Sequence, residues 1–161
     1  MSTLPPSYRD LIIDKAYFGG RWHDAERRFA VTDPATGETL AEVPDLDADA
    51  VRDAIAAADD AWPAWKRKTA KERATLLRAW FEAIMAHQAP LAELMTREQG
   101  KPLAEAKGEV AYGAAFVEYY AEEAKRVAGE TLPGHGPDKR ILVFREPIGV
   151  VAAITPWNFP L

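Results

Sequence analysis

One segment decides the fold class: Ile148-Gly149-Val150-Val151-Ala152-Ala153-Ile154, which is apolar throughout and shows no alternation with polar residues. A β-strand with this pattern is typically buried on both faces, as in a parallel sheet covered by helices. The segment continues directly into Thr155-Pro156-Trp157-Asn158-Phe159-Pro160, where two prolines stiffen the chain. Such a strand needs neighbouring strands and covering layers, and the rest of the sequence is too poor in strands to supply them. We therefore expect this chain to be the front part of a larger α/β protein.

The N-terminal region predicts a small antiparallel β-ribbon. Two adjacent glycines separate the aromatic-rich ends of residues 16–22, which is the pattern of a β-hairpin. Two further short strands, Phe29–Thr32 and Thr39–Val43, flank a turn at residues 33–38 that contains both proline and glycine.

Apolar residues at intervals of three and four predict four helices after the ribbon. The first ends or kinks at Pro63, and the second begins at the capping box Thr69-Ala70-Lys71-Glu72. The third runs from about Pro90 to Gln99, and the fourth from about Pro102 to Val127.

The fourth predicted helix carries small apolar residues on one face and two glycines, Gly108 and Gly113, in its interior. An interior glycine costs a helix roughly 1 kcal/mol relative to alanine, so both indicate a close neighbour such as another helix or a sheet. After this helix, glycines and prolines predict a loop over residues 129–139, followed by an extended strand from Ile141 to Arg145.

The composition excludes several kinds of site and partner. The 161 residues contain no cysteine, which excludes a disulfide, a cysteine-ligated metal site and a catalytic thiol within them. The three histidines, His23, His87 and His135, are far apart, so we predict no metal site. The net charge of −5 without a basic stripe argues against a nucleic-acid partner. The apolar run is too short to cross a bilayer and the N-terminus shows no signal pattern, so we expect a cytoplasmic protein with no membrane partner.

The loop after the apolar segment is the candidate functional site. In open α/β sheets, ligands bind outside the carboxyl ends of the strands, which is where Thr155–Pro160 would lie. Trp157 offers a flat indole, and Asn158 offers two amide donors without a charge, suited to holding a developing oxyanion. Position and chemistry alone leave an equal alternative, in which Asn158 caps a helix and Trp157 fills a gap in the core.

This ending resembles the aldehyde dehydrogenase superfamily, whose signature segment is similar to Ile154-Thr155-Pro156-Trp157-Asn158-Phe159-Pro160. The resemblance covers nearly the whole chain, because motifs at residues 18–22, 33–38 and 145–150 occur in the family's order. Residues 98–109 and 119–126 resemble the succinate-semialdehyde dehydrogenase branch.

The resemblance implies a fold and a division of the chain. Residues 1–128 would be the N-terminal part of an α/β, Rossmann-like cofactor-binding domain, mostly helical here, with the β-ribbon at its start. Residues 129–147 would form an oligomerisation arm that makes a homodimer or homotetramer. Residues 148–161 would be the first strand of the parallel sheet and the signature loop, and the catalytic domain would be absent from this chain.

The resemblance also implies the chemistry. The family oxidises an aldehyde through a cysteine thiohemiacetal and passes hydride to NADP or NAD. Asn158 matches the asparagine that donates to the oxyanion, and the cofactor would lie along Ile154, Thr155, Pro156, Trp157 and Asn158. Beyond residue 161 would lie the family's cysteine, its general-base glutamate, its glycine-rich cofactor motif and its substrate arginines. We therefore predict that the chain alone is inactive.

Two alternatives remain open from the sequence. Glutarate semialdehyde is an alternative substrate to succinate semialdehyde, and a complete chain of 161 residues would instead be a non-enzymatic interaction module. None of Glu98, Glu105 and Glu109 is proposed as the missing base, because their helical pattern predicts a solvated face.

Overall fold

The computed structural model describes residues 7–161. Residues 1–6 of the predicted 1–128 portion lie outside the described residues. They include the polar N-terminus, on which the absence of a signal pattern rests. After a 3₁₀ helix at Tyr8–Leu11, two antiparallel hairpins follow: β1 (Ala16–Phe18) with β2 (Arg21–His23), and β3 (Arg28–Thr32) with β4 (Thr39–Pro44). The predicted β-ribbon is therefore present, with a register irregularity between Val31 and Thr32.

Four helices follow the ribbon: α1 (Ala48–Lys66), α2 (Ala70–Ala86), α3 (Gln88–Gln99) and α4 (Leu103–Glu123). Asp47 caps α1, its side chain accepting from the amide of Ala50 at 2.9 Å. Of the two outcomes predicted at Pro63, an end or a kink of the first helix, the end is wrong, because α1 continues to Lys66 with Pro63 inside it.

The capping box predicted at the start of the second helix is confirmed. The Thr69 hydroxyl accepts from the Glu72 amide at 3.3 Å, and the Glu72 carboxylate accepts from the Thr69 amide at 2.7 Å. These two bonds satisfy amide donors that the first turn of a helix otherwise leaves without partners.

The core lies where α4 packs against α2 and α3. Ala106, Val110 and Ala114 on α4 are fully buried, and Ala92 and Met95 on α3 complete the centre. The small side chains predicted on one face of the fourth helix are therefore its packing face, since they allow close approach of the neighbouring helices.

The two interior glycines of α4 have different surroundings. A Cβ at Gly113 would lie 2.9 Å from Cδ2 of Leu161, so this glycine has a close neighbour as predicted, although the neighbour is Leu161 and not another helix or a sheet. A Cβ at Gly108 would meet no atom within 4 Å, so the prediction of a close neighbour is wrong for Gly108 among the described residues.

The region after α4 differs from the prediction. Residues 129–139 are not all loop, because β5 (Glu130–Pro133) pairs antiparallel with β6 (Arg140–Val143). The strand predicted from Ile141 to Arg145 ends at Val143. It ends there because Val143 pairs with Glu130, the first residue of β5. Pairing with β6 stabilises β5 even though Pro133 ends it, since a strand at the edge of a sheet tolerates proline.

The strand predicted at Ile148–Ile154 does not form a ladder within residues 7–161. The segment is without regular secondary structure, and its apolar side chains are exposed, Ile148 by 92% and Ile154 by 95%. A strand exists only through hydrogen bonds to a neighbour, and the part of the chain that is described places no strand edge beside it. This agrees with the expectation that the strand needs neighbours that the chain does not supply, and the assignment of residues 148–161 to the parallel sheet stays a prediction.

Candidate functional site

The signature loop, residues 155–161, lies against the junction of α3 and α4. Gly100 ends α3 with a φ of +78°, and a Cβ there would lie 3.1 Å from Cγ of Pro34. Only Gly100–Pro102 separate the two helices, so Lys101 lies at the corner between them. A glycine at this position is favoured by both the left-handed backbone and the closeness of the β3–β4 turn.

The predicted site residues are all exposed. Ile154, Thr155, Pro156, Trp157 and Asn158 form one extended stretch, closed only by a turn in which the Phe159 amide donates to the Pro156 carbonyl at 3.1 Å. Within residues 7–161 the side-chain amide of Asn158 makes no hydrogen bond. It does not cap a helix there, and the exposed amide carries two N–H donors.

Trp157 does not fill the core either, since its side chain is 84% exposed. It forms one wall of a cleft of about 560 Å³ together with Pro160 and Leu161 from the loop. Leu91 and Glu98 on α3 also line this cleft. Partial burial at this cleft raises the pKa of the Glu98 carboxyl above its ordinary value.

The prediction of a solvated face holds for Glu105. Glu98 is exposed as well but borders the cleft, and the prediction is wrong for Glu109. Glu109 is 4% exposed and forms an ion pair with Lys101. The physical reason is helical geometry: residue 109 follows Ala106 by three and precedes Gly113 by four, which places it beside the buried stripe.

The Lys101–Glu109 ion pair also holds the signature loop by its backbone. Lys101 Nζ donates to the carbonyl oxygen of Asn158 at 2.7 Å, and Glu109 Oε1 accepts from the amide of Leu161 at 3.2 Å. Sequence reasoning missed Lys101, because a lysine beside a glycine and a proline carries no periodic signal.

Among residues 7–161, no three side chains of the His, Asp and Glu types come together in a way that could bind a metal ion. None of the helices in that part of the chain has the length and apolarity required to cross a bilayer.

The fold and the signature loop define the class of protein. The model of the aldehyde dehydrogenase family matches residues 22–161, so the chain belongs to that family, as its motifs predict. The α/β fold class is confirmed in the same way, because solved members of the family superimpose on the helices and ribbon described above.

Three relatives illustrate the similarity. The chain is 58% identical over 153 residues to the NADP⁺ succinate-semialdehyde dehydrogenase GabD of Escherichia coli K12, covering 94% of this chain and 32% of the relative. It is 58% identical over 152 residues to glutarate-semialdehyde dehydrogenase of Pseudomonas putida KT2440, covering 93% and 32%. The crystal structure of succinate-semialdehyde dehydrogenase from Burkholderia pseudomallei superimposes with a TM-score of 0.91 at 57% identity, covering 94% and 32%. The chain thus spans about a third of the length of these relatives.

Proposed function

We propose that this chain is the N-terminal portion of an NAD(P)-dependent aldehyde dehydrogenase that oxidises succinate semialdehyde to succinate. The observation that carries the proposal is the exposed amide of Asn158 after the apolar segment, in a chain that belongs to this family. The similarity to two semialdehyde dehydrogenases supports the substrate class.

In this proposal Asn158 stabilises the negative charge that develops on the aldehyde oxygen. When a cysteine thiolate adds to the carbonyl carbon, the C=O electron pair moves to oxygen, and an uncharged amide donor stabilises that oxyanion without requiring a proton transfer. No cysteine occurs among the 161 residues, so the nucleophile would come from the remainder of the family's length.

The nicotinamide cofactor, NADP or NAD, would bind along Ile154, Thr155, Pro156 and Trp157. When bound, the cofactor accepts hydride from the substrate carbon. The residues fit this role because their side chains are exposed and they precede the Asn158 donor directly. GabD, which is named for NADP⁺, supports NADP as the first cofactor to test.

Glutarate semialdehyde is the second candidate substrate, because the Pseudomonas putida relative named for it is as similar as GabD. The two substrates differ by one methylene, and a pocket typically discriminates such a pair by only 10- to 200-fold. Measuring kcat/KM of the full-length protein for both semialdehydes decides between them.

The same proposal covers the division of the chain and its assembly. Residues 1–128 and 148–161 would belong to the cofactor-binding domain of a cytoplasmic enzyme, and residues 129–147 would form the arm of a homo-oligomer. The exposed side chains of Leu132, Ile141 and Leu142 on the β5–β6 hairpin support an interface there. Replacing Leu142 by Asp should lower the mass of the full-length assembly in sedimentation, and an unchanged mass would remove the arm from the interface.

The decisive experiment is Asn158→Ala in the full-length protein. We expect kcat to fall by roughly 10²–10³ from the loss of one oxyanion donor. Gln88→Ala, which truncates an amide outside the signature loop, is the control and should leave kcat within a small factor. An unchanged kcat for Asn158→Ala would contradict the role given to Asn158.

The coding sequence after Leu161 tests the wider proposal. An open frame that encodes a cysteine and a glutamate in the family's order supports the enzyme. A stop codon directly after Leu161 supports the interaction module instead, and the 161-residue chain should then form no NADPH from either semialdehyde.

A further inference from the structure

Lys101 and Glu109 form a buried ion pair beside the signature loop. The Lys101 side chain is 11% exposed and that of Glu109 is 2% exposed, although most ion pairs of the described residues lie at the surface. Burying two charges costs free energy that their attraction offsets only when their remaining donors and acceptors are also satisfied. The partners that satisfy them therefore indicate what the pair does.

Those partners are all in the signature loop. Lys101 Nζ donates to the Asn158 carbonyl at 2.7 Å and lies 4.5 Å from the centroid of the Phe159 ring, close enough for a cation–π contact. Glu109 Oε1 accepts from the Leu161 amide at 3.2 Å. The pair thus contacts the backbone on both sides of Phe159 and leaves the Asn158 side chain free.

The loop has few other restraints. In the described part of the chain, residues 155–161 take part in one backbone–backbone hydrogen bond, from the Phe159 amide to the Pro156 carbonyl. The apolar segment before the loop pairs with no strand there. A loop with so little secondary structure is held in one conformation only by contacts from outside it.

We infer that Lys101 and Glu109 are positioning residues that fix the backbone of Asn158, and with it the direction of the amide donor. The inference rests on the proposed function, in which Asn158 stabilises the oxyanion. An oxyanion donor must lie within a fraction of an ångström of its productive position, and a misplacement of about 1 Å can cost roughly 10²-fold in rate.

The pair can be removed without leaving a buried charge unpaired. The double variant Lys101→Met/Glu109→Leu replaces both groups by apolar side chains, and such exchanges often preserve or increase stability. Lys101→Met and Glu109→Gln are the single variants, and Lys101→Arg is the conservative one. Lys107→Met and Glu105→Gln, at exposed positions on α4, are the matched controls.

The first measurement is hydrogen exchange at the Phe159 amide in the full-length protein. Neither Lys101 nor Glu109 bonds this amide, whose acceptor is the Pro156 carbonyl, so its protection reports the conformation of the loop. We expect faster exchange at Phe159 in Lys101→Met and in the double variant, and unchanged exchange in both controls. Unchanged protection at Phe159 in a folded double variant would overturn the inference.

The second measurement combines these variants with Asn158→Ala. Alone, Lys101→Met should lower kcat by roughly 10- to 100-fold with little change in the KM for the cofactor, and Lys101→Arg should restore part of it. In the Asn158→Ala background, Lys101→Met should lower kcat by no more than about twofold, because residues that act through one group are not additive. Full additivity of the two losses would show a merely structural role and overturn the inference.

The two proposals fail in distinguishable ways. A full-length protein that oxidises neither semialdehyde contradicts the proposed function, and the exchange at Phe159 then still decides whether the pair fixes the loop. A large loss of kcat in Asn158→Ala supports the proposed function. If the double variant then keeps wild-type kcat and wild-type exchange at Phe159, this inference alone is overturned.

Discussion

The guanidinium of Arg78 on α2 donates to the carboxylate of Glu118 on α4, with 2.7 Å between Nη1 and Oε1. Its second terminal nitrogen lies 3.2 Å from Oε1 of Glu122, one turn further along α4. The guanidinium carbon lies 5.3 Å from the centroid of the Phe81 ring on its own helix. These contacts bridge the two helices at the edge of the core.

We expect the Arg78–Glu118 bridge to add little to stability. The two side chains are 39% and 43% exposed, so solvent screens the pair and its coupling should be small. A double-mutant cycle of Arg78→Met and Glu118→Gln, followed by denaturant unfolding, measures this coupling. It should shrink in about 1 M salt, where the screening length is about 3 Å. A coupling that does not respond to salt would contradict this account.

The two interior glycines of α4 should respond differently to alanine. Gly108→Ala meets no atom within 4 Å and should raise the free energy of unfolding by about 0.5–1 kcal/mol, because alanine restricts the unfolded chain. Gly113→Ala places a Cβ 2.9 Å from Cδ2 and 3.3 Å from the carbonyl oxygen of Leu161, so Leu161 must shift and the gain should be lost. Denaturant unfolding of the matched pair measures the difference. Equal gains would contradict the contact with Leu161.

The capping box of α2 predicts a pH-dependent contribution to stability. The hydrogen bond from the Thr69 amide, and then that from its hydroxyl, lower the pKa of Glu72 below its ordinary value of 4.5. Because the folded-state pKa is the lower one, the contribution is present above pH 4.5 and disappears as the pH falls through the folded-state pKa. Glu72→Gln should therefore lower the thermal midpoint at pH 7 and leave it nearly unchanged in strong acid.

The control for Glu72 is Glu82→Gln, at an exposed position of the same helix. It should change the thermal midpoint little at either pH. A loss in Glu72→Gln that is equally large in acid would show that the charge of Glu72 does not contribute.

The packing face of α4 should not tolerate larger side chains. Ala114 is fully buried where α4 meets its neighbours, so Ala114→Leu should cost about 1–3 kcal/mol through overpacking. Ala104→Leu, at an exposed position of the same helix, should change stability by no more than about 0.5 kcal/mol. Chemical unfolding of the two variants checks the prediction, and similar values would mean that α4 does not pack through this face.

Local chemistry made much of the fold predictable. The capping box at Thr69 and the small-residue stripe of α4 each follow from a few neighbouring residues, and both are present in the structure. The β5 strand was missed because its strand state depends on pairing with β6 rather than on its own composition.

The candidate site is also predictable from the sequence only in part. Asn158 and Trp157 were identified from the sequence, since their chemistry and their position after an apolar segment are local properties. Lys101 was not, and Glu109 was assigned to solvent, because the importance of both depends on a loop about 50 residues away in the chain.

The sequence by itself determined the family and the helices with their caps, because motif order and hydrophobic period are properties of the chain, whereas the role of Asn158 as an amide donor stays a prediction. Only the tertiary structure decided that a charged pair is buried at the corner of α3 and α4 and that it binds the backbone of that loop. The physical reason is that burial of a charge depends on which distant groups satisfy it, and those groups meet only when the chain folds.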